Sequence, residues 1–188
     1  IEGEGERINQ ADVYYFHENK QGIWLATSVG LYLMHPETGE ILQSFHKDAA
    51  KGKQLPYNSI AHLYEAPNGD FWLASKGGGL ICFNSKTGNF KAFTSKDGLS
   101  HNILYAVYPD SLGNLWLSSD MGIMLFNRST HLVRTYLPRD GVPHEEFNTS
   151  SHHQAADGTI YFGSIQGFTK FHPRDFYKKQ QQHNALLQ

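Results

Sequence analysis

Residues 58–93 read NSIAHLYEAPNGDFWLASKGGGLICFNSKTGNFKAF. Four short apolar runs lie in this stretch: Ile60–Tyr64, Phe71–Ala74, Leu80–Phe83 and Phe90–Phe93. The gaps between them carry turn chemistry, first Pro67-Asn68-Gly69, then Gly77-Gly78-Gly79, then Ser85 to Gly88. Short aromatic-rich runs bounded by Gly and Asn read as strands joined by tight hairpins. Asn68-Gly69 is a strong turn signal because both residues tolerate positive φ. The stretch therefore predicts one four-stranded antiparallel meander.

The same pattern recurs along the chain. Gly69-Asp70-Phe71-Trp72-Leu73 is echoed by Gln21-Gly22-Ile23-Trp24-Leu25, Gly113-Asn114-Leu115-Trp116-Leu117 and Gly158-Thr159-Ile160-Tyr161-Phe162. The anchor aromatics Trp24, Trp72, Trp116 and Tyr161 follow one another at 48, 44 and 45 residues. A glycine and a third strand follow each anchor: Gly30-Leu31, Gly79-Leu80, Gly122-Ile123 and Gly167-Phe168. A period of about 45 residues with four strands per unit is the signature of a propeller. The predicted fold is all-β, four antiparallel meanders as β-propeller blades, the last lacking its own fourth strand. Trp24, Trp72, Trp116 and Tyr161 are expected at equivalent buried positions between adjacent sheets.

The expected organisation is a frayed start at residues 1–8, blades at 9–56, 57–98, 99–141 and 142–176, and a Lys/Gln tail at 177–188. First strands are placed at Asp12–Phe16, Ile60–Tyr64, Ile103–Tyr108 and Asn148–His153. Three polar connectors, His46–Tyr57, Thr94–Asn102 and Leu137–Phe147, join the blades. No helix is predicted before the tail.

Composition excludes several classes. The 188 residues suffice for a sizeable core, and 13% aromatic with 18% charged residues suits a globular β protein. A net charge of −2 favours neither nucleic acid nor an anionic membrane, and no run is long enough to span a bilayer. Cys82 is the only cysteine, set in Leu80-Ile81-Cys82-Phe83, and reads as a buried inert thiol. The eleven histidines lack zinc-site spacing, and His62 and His152 fall in first strands, where a hydrogen-bonded histidine is the ordinary outcome. Gly77-Gly78-Gly79 is a hairpin and not a phosphate loop, since no Gly-Lys-Ser/Thr follows. No Gly-x-Ser-x-Gly elbow is present. No catalytic residue, metal or cofactor is predicted.

The units resemble the two-component-regulator propeller repeat of bacterial sensor proteins. The resemblance rests on Gly98-Leu99-Ser100-His101-Asn102, then Asp110-Ser111-Leu112-Gly113-Asn114-Leu115-Trp116, then Gly122. The last unit is similar to the terminal one of that family, with Glu146-Phe147-Asn148, Asp157 to Gly163, Gly167-Phe168 and Phe171-His172-Pro173. Gln21-Gly22 reverses the usual Gly-polar order, and the family's further β-sandwich is not recognisable after Phe176. The resemblance covers residues 9–176. It implies a seven-bladed ring, for which four units are too few, so that the chain reads as a C-terminal fragment of one. It also implies a non-catalytic, periplasmic sensor region that binds a small polar ligand, including carbohydrate, or mediates receptor assembly.

One connector concentrates recognition chemistry. Arg139 and His144 can donate hydrogen bonds, and Asp140, Glu145 and Glu146 can accept them. Lys76, Asp120 and Gln166, in the loops between second and third strands, are expected to border them. Polar groups on loops held by a rigid scaffold are where binding usually resides; the plain alternative is a solvated loop. A rival reading is a metal-dependent propeller lyase of the streptogramin-inactivating kind, with His144, Glu145 and Glu146 as its candidates. Expected partners are a small polar ligand or oligosaccharide, and a second copy through open blade faces or receptor dimerisation. Nucleic acid and membrane contact are not expected.

Overall fold

A computed structural model describes residues 7–177. The first blade holds β1 (Val13–Asn19), β2 (Gly22–Thr27), β3 (Leu31–Met34) and β4 (Ile41–Phe45). The second holds β5 (Ile60–Glu65), β6 (Phe71–Ser75), β7 (Gly79–Phe83) and β8 (Phe90–Phe93). The third holds β9 (Leu104–Pro109), β10 (Leu115–Ser119), β11 (Ile123–Phe126) and β12 (Val133–Tyr136). Among the described residues the fourth holds only β13 (His152–Gln154), β14 (Ile160–Ser164) and β15 (Gly167–Phe171). Each sheet is an antiparallel meander with its strands in chain order. The result is a fan of propeller blades whose first strands lie innermost and touch from blade to blade.

The anchors stand in one register. Trp24 pairs across its sheet with His17 and Leu33, Trp72 with Tyr64 and Cys82, and Trp116 with Tyr108 and Leu125. Tyr161 pairs with His153 and Lys170 at the matching place. Each tryptophan stacks on the aromatic of its own fourth strand: Trp24 on Phe45 at 26°, Trp72 on Phe93 at 20°, Trp116 on Tyr136 at 18°. The next blade supplies a ring against that pair, with Phe45 meeting Phe83 at 4.9 Å and Phe93 meeting Phe126 at 4.8 Å, both edge to face. Trp116 meets Phe171 at 4.9 Å. Offset and edge-to-face contacts of this kind stabilise beyond the area they bury. The core is accordingly three clusters, one in each gap between blades.

Several expectations need correction. Tyr161 is only half-buried, because it faces outward from the last blade and, among the described residues, has neither a fourth-strand aromatic nor a following sheet to cover it. Asn148–His153 is not a strand over its full length; pairing starts at His152, since Asn148 is tied to the Gly163 carbonyl instead. Two connectors contain short 3-10 turns, Ser95–Asp97 and Pro138–Asp140, where no helix was expected. Each is closed by an aspartate three residues on: Asp97 accepts the Thr94 N–H at 2.8 Å and Asp140 the Leu137 N–H at 3.0 Å. Arg7 is not frayed; it bonds His46 Nδ1 at 2.6 Å and Asp48 at 3.3 Å. Residues 173–177 form a helical turn that folds back onto the third blade, with Phe176 against Trp116 and Tyr136. Tyr177 donates to Asp110 there, and the rest of the expected tail lies outside the described residues. Cys82 is half-buried rather than buried, and burial followed by the charge of Asp70 pushes its thiol up to about 11.

Candidate functional site on the connector face

The connectors are fixed to the fan by backbone bonds. The Asn102 carbonyl accepts from Gly77 and Gly79 at 3.0 and 2.9 Å, while its side-chain oxygen accepts from Ser95 at 2.7 Å. That one asparagine pins its connector to the β6–β7 hairpin. Asn58 does similar work for the first connector, accepting the Lys47 N–H at 2.7 Å. In the third connector the pins are main-chain: Gly122 N–H donates to the Glu145 carbonyl at 2.8 Å, Phe147 N–H to Ser119 at 3.3 Å, and Asn148 N–H to Gly163 at 2.9 Å. Val142 and Phe147 are buried in the third core cluster, so the polar run between them is held rigidly across the rim of two blades.

A recess of about 260 Å³ results. It is lined by Pro143, His144, Glu145 and Glu146 of the connector and by Ser164, Ile165 and Gln166 of the β14–β15 hairpin. Four of the expected site residues, His144, Glu145, Glu146 and Gln166, are thus brought together. None of their side chains makes a hydrogen bond or ion pair with another described residue. This sets the recess apart from two clefts on the opposite face, whose carboxylates are already engaged. In one, Glu65 takes bonds from His17 and Asn19; in the other, Asn68 and Asn84 donate to Asp70 and the Arg128 guanidinium donates to Gly113.

The remaining candidates lie elsewhere on the rim. Asp140 is occupied as the cap of its turn, and the Arg139 side chain is 79% exposed, with Nε 3.9 Å from Asp140. Neither lines the recess. Lys76 pairs in a bridge with Ile103 and extends its ammonium over the Tyr14 ring, 4.8 Å from its centre, toward the first blade. Asp120 accepts from Tyr105 at 2.5 Å. His101 Nδ1 is 3.8 Å from Asp120 but already accepts the Ile103 N–H, so it does not donate to the carboxylate. Burial first, then the Asp120 bond and the charges of Asp120 and Glu146, raise the Tyr105 phenol far above its ordinary range. Tyr105 therefore stays neutral, with its hydroxyl donating to Asp120. Sequence reading missed it, because Tyr105 sits in a bulge of β9 between the Ser118 and Ser119 pairings, and only that irregularity brings it to Asp120.

The recess holds two carboxylates and no lysine or arginine. It can accept hydrogen bonds from hydroxyl and amino groups and disfavours anions. Among the described residues no three His, Cys, Asp or Glu side chains are placed to share a metal ion. The lyase reading therefore finds no three-ligand metal cluster among the described residues.

No protein-family model matches the chain. A curated relative, Histidine kinase P4 of Formosa agariphila, is 29% identical over 165 residues, which cover 84% of this chain and 12% of that protein. The crystallised extracellular domain of the hybrid two component system BT3049 of B. thetaiotaomicron is 25% identical with a TM-score of 0.61, covering 87% of this chain and 28% of that one. The WD40 β-propeller domain of Doa1 has a TM-score of 0.63 and covers 86% of this chain and 50% of that one. A virginiamycin B lyase of Staphylococcus aureus has a TM-score of 0.58 and covers 86% of this chain and 56% of that one. Both are 13% identical, which shows the propeller fold alone. The chain thus spans about an eighth of the curated kinase it matches and under a third of the sensor domain. Among the described residues no helix is long and apolar enough to cross a membrane.

Proposed function

We propose that this chain is a non-catalytic, extracytoplasmic, ligand-recognising propeller region of a bacterial two-component receptor, of the two-component-regulator repeat type. The likeness to a histidine kinase and to an extracellular two-component domain supports the receptor context. One observation carries the site: His144, Glu145, Glu146 and Gln166 line one recess, fixed by backbone bonds, with their side chains unengaged. Rigid, unsatisfied polar groups in a recess are what a small polar ligand requires. The ligand class that fits is neutral and polyhydroxylated, such as a short oligosaccharide, bound by acceptor carboxylates. The exposed Phe168 and Ile165 of the last blade support a second role in self-association or receptor assembly.

The test is binding of a panel of neutral oligosaccharide fragments, followed by calorimetry or amide chemical shifts. Replacing His144, Glu146 and Gln166 together by Ala is expected to weaken binding at least about tenfold, since each lost bond to a charged group is worth roughly 1.5–3 kcal/mol. The unfolding midpoint should stay unchanged. In the intact receptor the same triple change should abolish signalling. Undiminished binding and signalling would move the site off this face.

A further inference from the structure

The recess leaves unused a cluster of rings at the axis of the fan. His62 of β5 is its hub, with 1% of its surface exposed. Tyr15 of β1 lies 4.2 Å from it between ring centres, Tyr108 of β9 4.8 Å and His152 of β13 4.5 Å. Each of the four blades contributes one ring from its innermost strand. Tyr108 and His152 are also joined directly, 2.8 Å from the phenol oxygen to Nδ1. The axis of this fan is therefore plugged by one side-chain cluster.

The hydrogen bonds define its protonation. The Val107 N–H of β9 donates to His62 Nδ1 at 3.1 Å. That nitrogen must carry a lone pair, so neutral His62 holds its proton on Nε2, which is buried and has no hydrogen-bond partner. An imidazolium would set a second N–H against the fixed Val107 N–H and break the bond joining β5 to β9. It would also lie 4.5 Å from a second histidine ring.

Among the described residues no carboxylate balances that charge. The groups facing His62 are Tyr15 and His17 from β1, Tyr108 and the Val107 amide from β9, and His152 from β13. From β6 its cross-strand partner is Ala74. The carboxylate of its own strand, Glu65, is occupied by His17 and Asn19. Beside His152 stand His153 and a backbone bond with Thr149.

We propose that the Tyr15–His62–Tyr108–His152 cluster is an acid-sensitive latch: neutral, it holds the inner strands of the four blades together, and protonation releases them. The titration agrees in sign. Burial first, then the neighbouring His152, hold His62 well below the ordinary histidine value, and burial lowers His152 from 6.5 to about 4. Both groups bind protons more readily unfolded than folded. The stability they contribute is thus complete above pH 6.5 and is lost as the pH falls toward about 4.

The experiment is urea unfolding of the chain between pH 7.5 and 4.5, above the range in which Asp97 and Asp157 titrate. With two protons taken up on unfolding, the unfolding constant should rise by up to about 100-fold per pH unit within this window. His62→Asn keeps an acceptor near the Nδ1 position without titrating, and His152→Phe keeps a ring. The double variant should lose most of that slope, and each single variant about tenfold per pH unit of it. Equal slopes in wild type and double variant would overturn the latch. Should the double variant not fold, exchange of the Val107 amide in the wild type decides. Its protection factor is expected to fall between pH 6.5 and 4.5, and an unchanged value overturns the proposal.

Discussion

Trp116 and Tyr161 occupy the same register in consecutive blades, and the molecule treats them differently. Trp116 is fully buried, stacked on Tyr136 of its own fourth strand and closed over by Phe171 and Phe176. Its indole N–H donates to Asp110 at 3.1 Å. Tyr161 has the same hairpin around it, yet its ring neighbours are His153 and Phe168 at 6.3 Å and the ammonium of Lys170. Phe168 is 63% exposed. The sequence unit builds the sheet, but burial of its anchor is supplied by the fourth strand and the next sheet.

The glycine that opens each third strand teaches the same lesson at atomic scale. A Cβ on Gly30, Gly79 or Gly122 would lie 2.6, 2.1 or 2.5 Å from a fourth-strand carbonyl, of Phe45, Phe93 or Tyr136. At Gly167 the nearest atom is 3.6 Å away, on His144, and among the described residues no fourth strand stands there. Positive φ favours glycine at all four positions. Only the first three are also closed by packing.

The largest expected effect that could break this comparison comes from the anchors. Trp116→Ala should cost about 3–5 kcal/mol in urea unfolding, the range for buried aromatics. Tyr161→Ala should cost roughly 1 kcal/mol, the centre of ordinary substitutions. Similar costs would mean that the last blade is covered after all. Next come the glycines. Gly122→Ala combines backbone strain with a clash and should lose more than about 2 kcal/mol, whereas Gly167→Ala should lose only the strain, about 1 kcal/mol. The smallest effect sharpens the contrast further. Phe168→Ser on the open face should change stability by less than about 0.5 kcal/mol while weakening any self-association seen by sedimentation at rising concentration.

Much of this was legible in the sequence. The repeat period placed all fifteen strands to within a few residues, because turn residues and anchors punctuate each unit. The half-exposure of Tyr161 was not foreseen, since the residue repeats while its covering layer does not. Within the candidate site, the connector that carries His144, Glu145 and Glu146 stood out by composition, and its alignment with the β14–β15 hairpin put Gln166 opposite. The second role of Asp140, closing a 3-10 turn as Asp97 does, appears only when the two connectors are compared. The axial cluster was invisible. His62, Tyr108 and His152 look like unrelated strand residues until four blades converge on them. Arg7 with His46 was equally hidden, because 39 residues separate partners joined only by the tertiary fold.

Hydrogen exchange of backbone amides, resolved strand by strand at neutral pH, tests most directly that three stacked interfaces and the open face of the last blade set the stability of this fan. Amides of β6, β7, β10 and β11 should be the most protected, near the global unfolding free energy, and those of β15 the least protected in any sheet. Protection of β15 equal to that of β7 and β11 would contradict it.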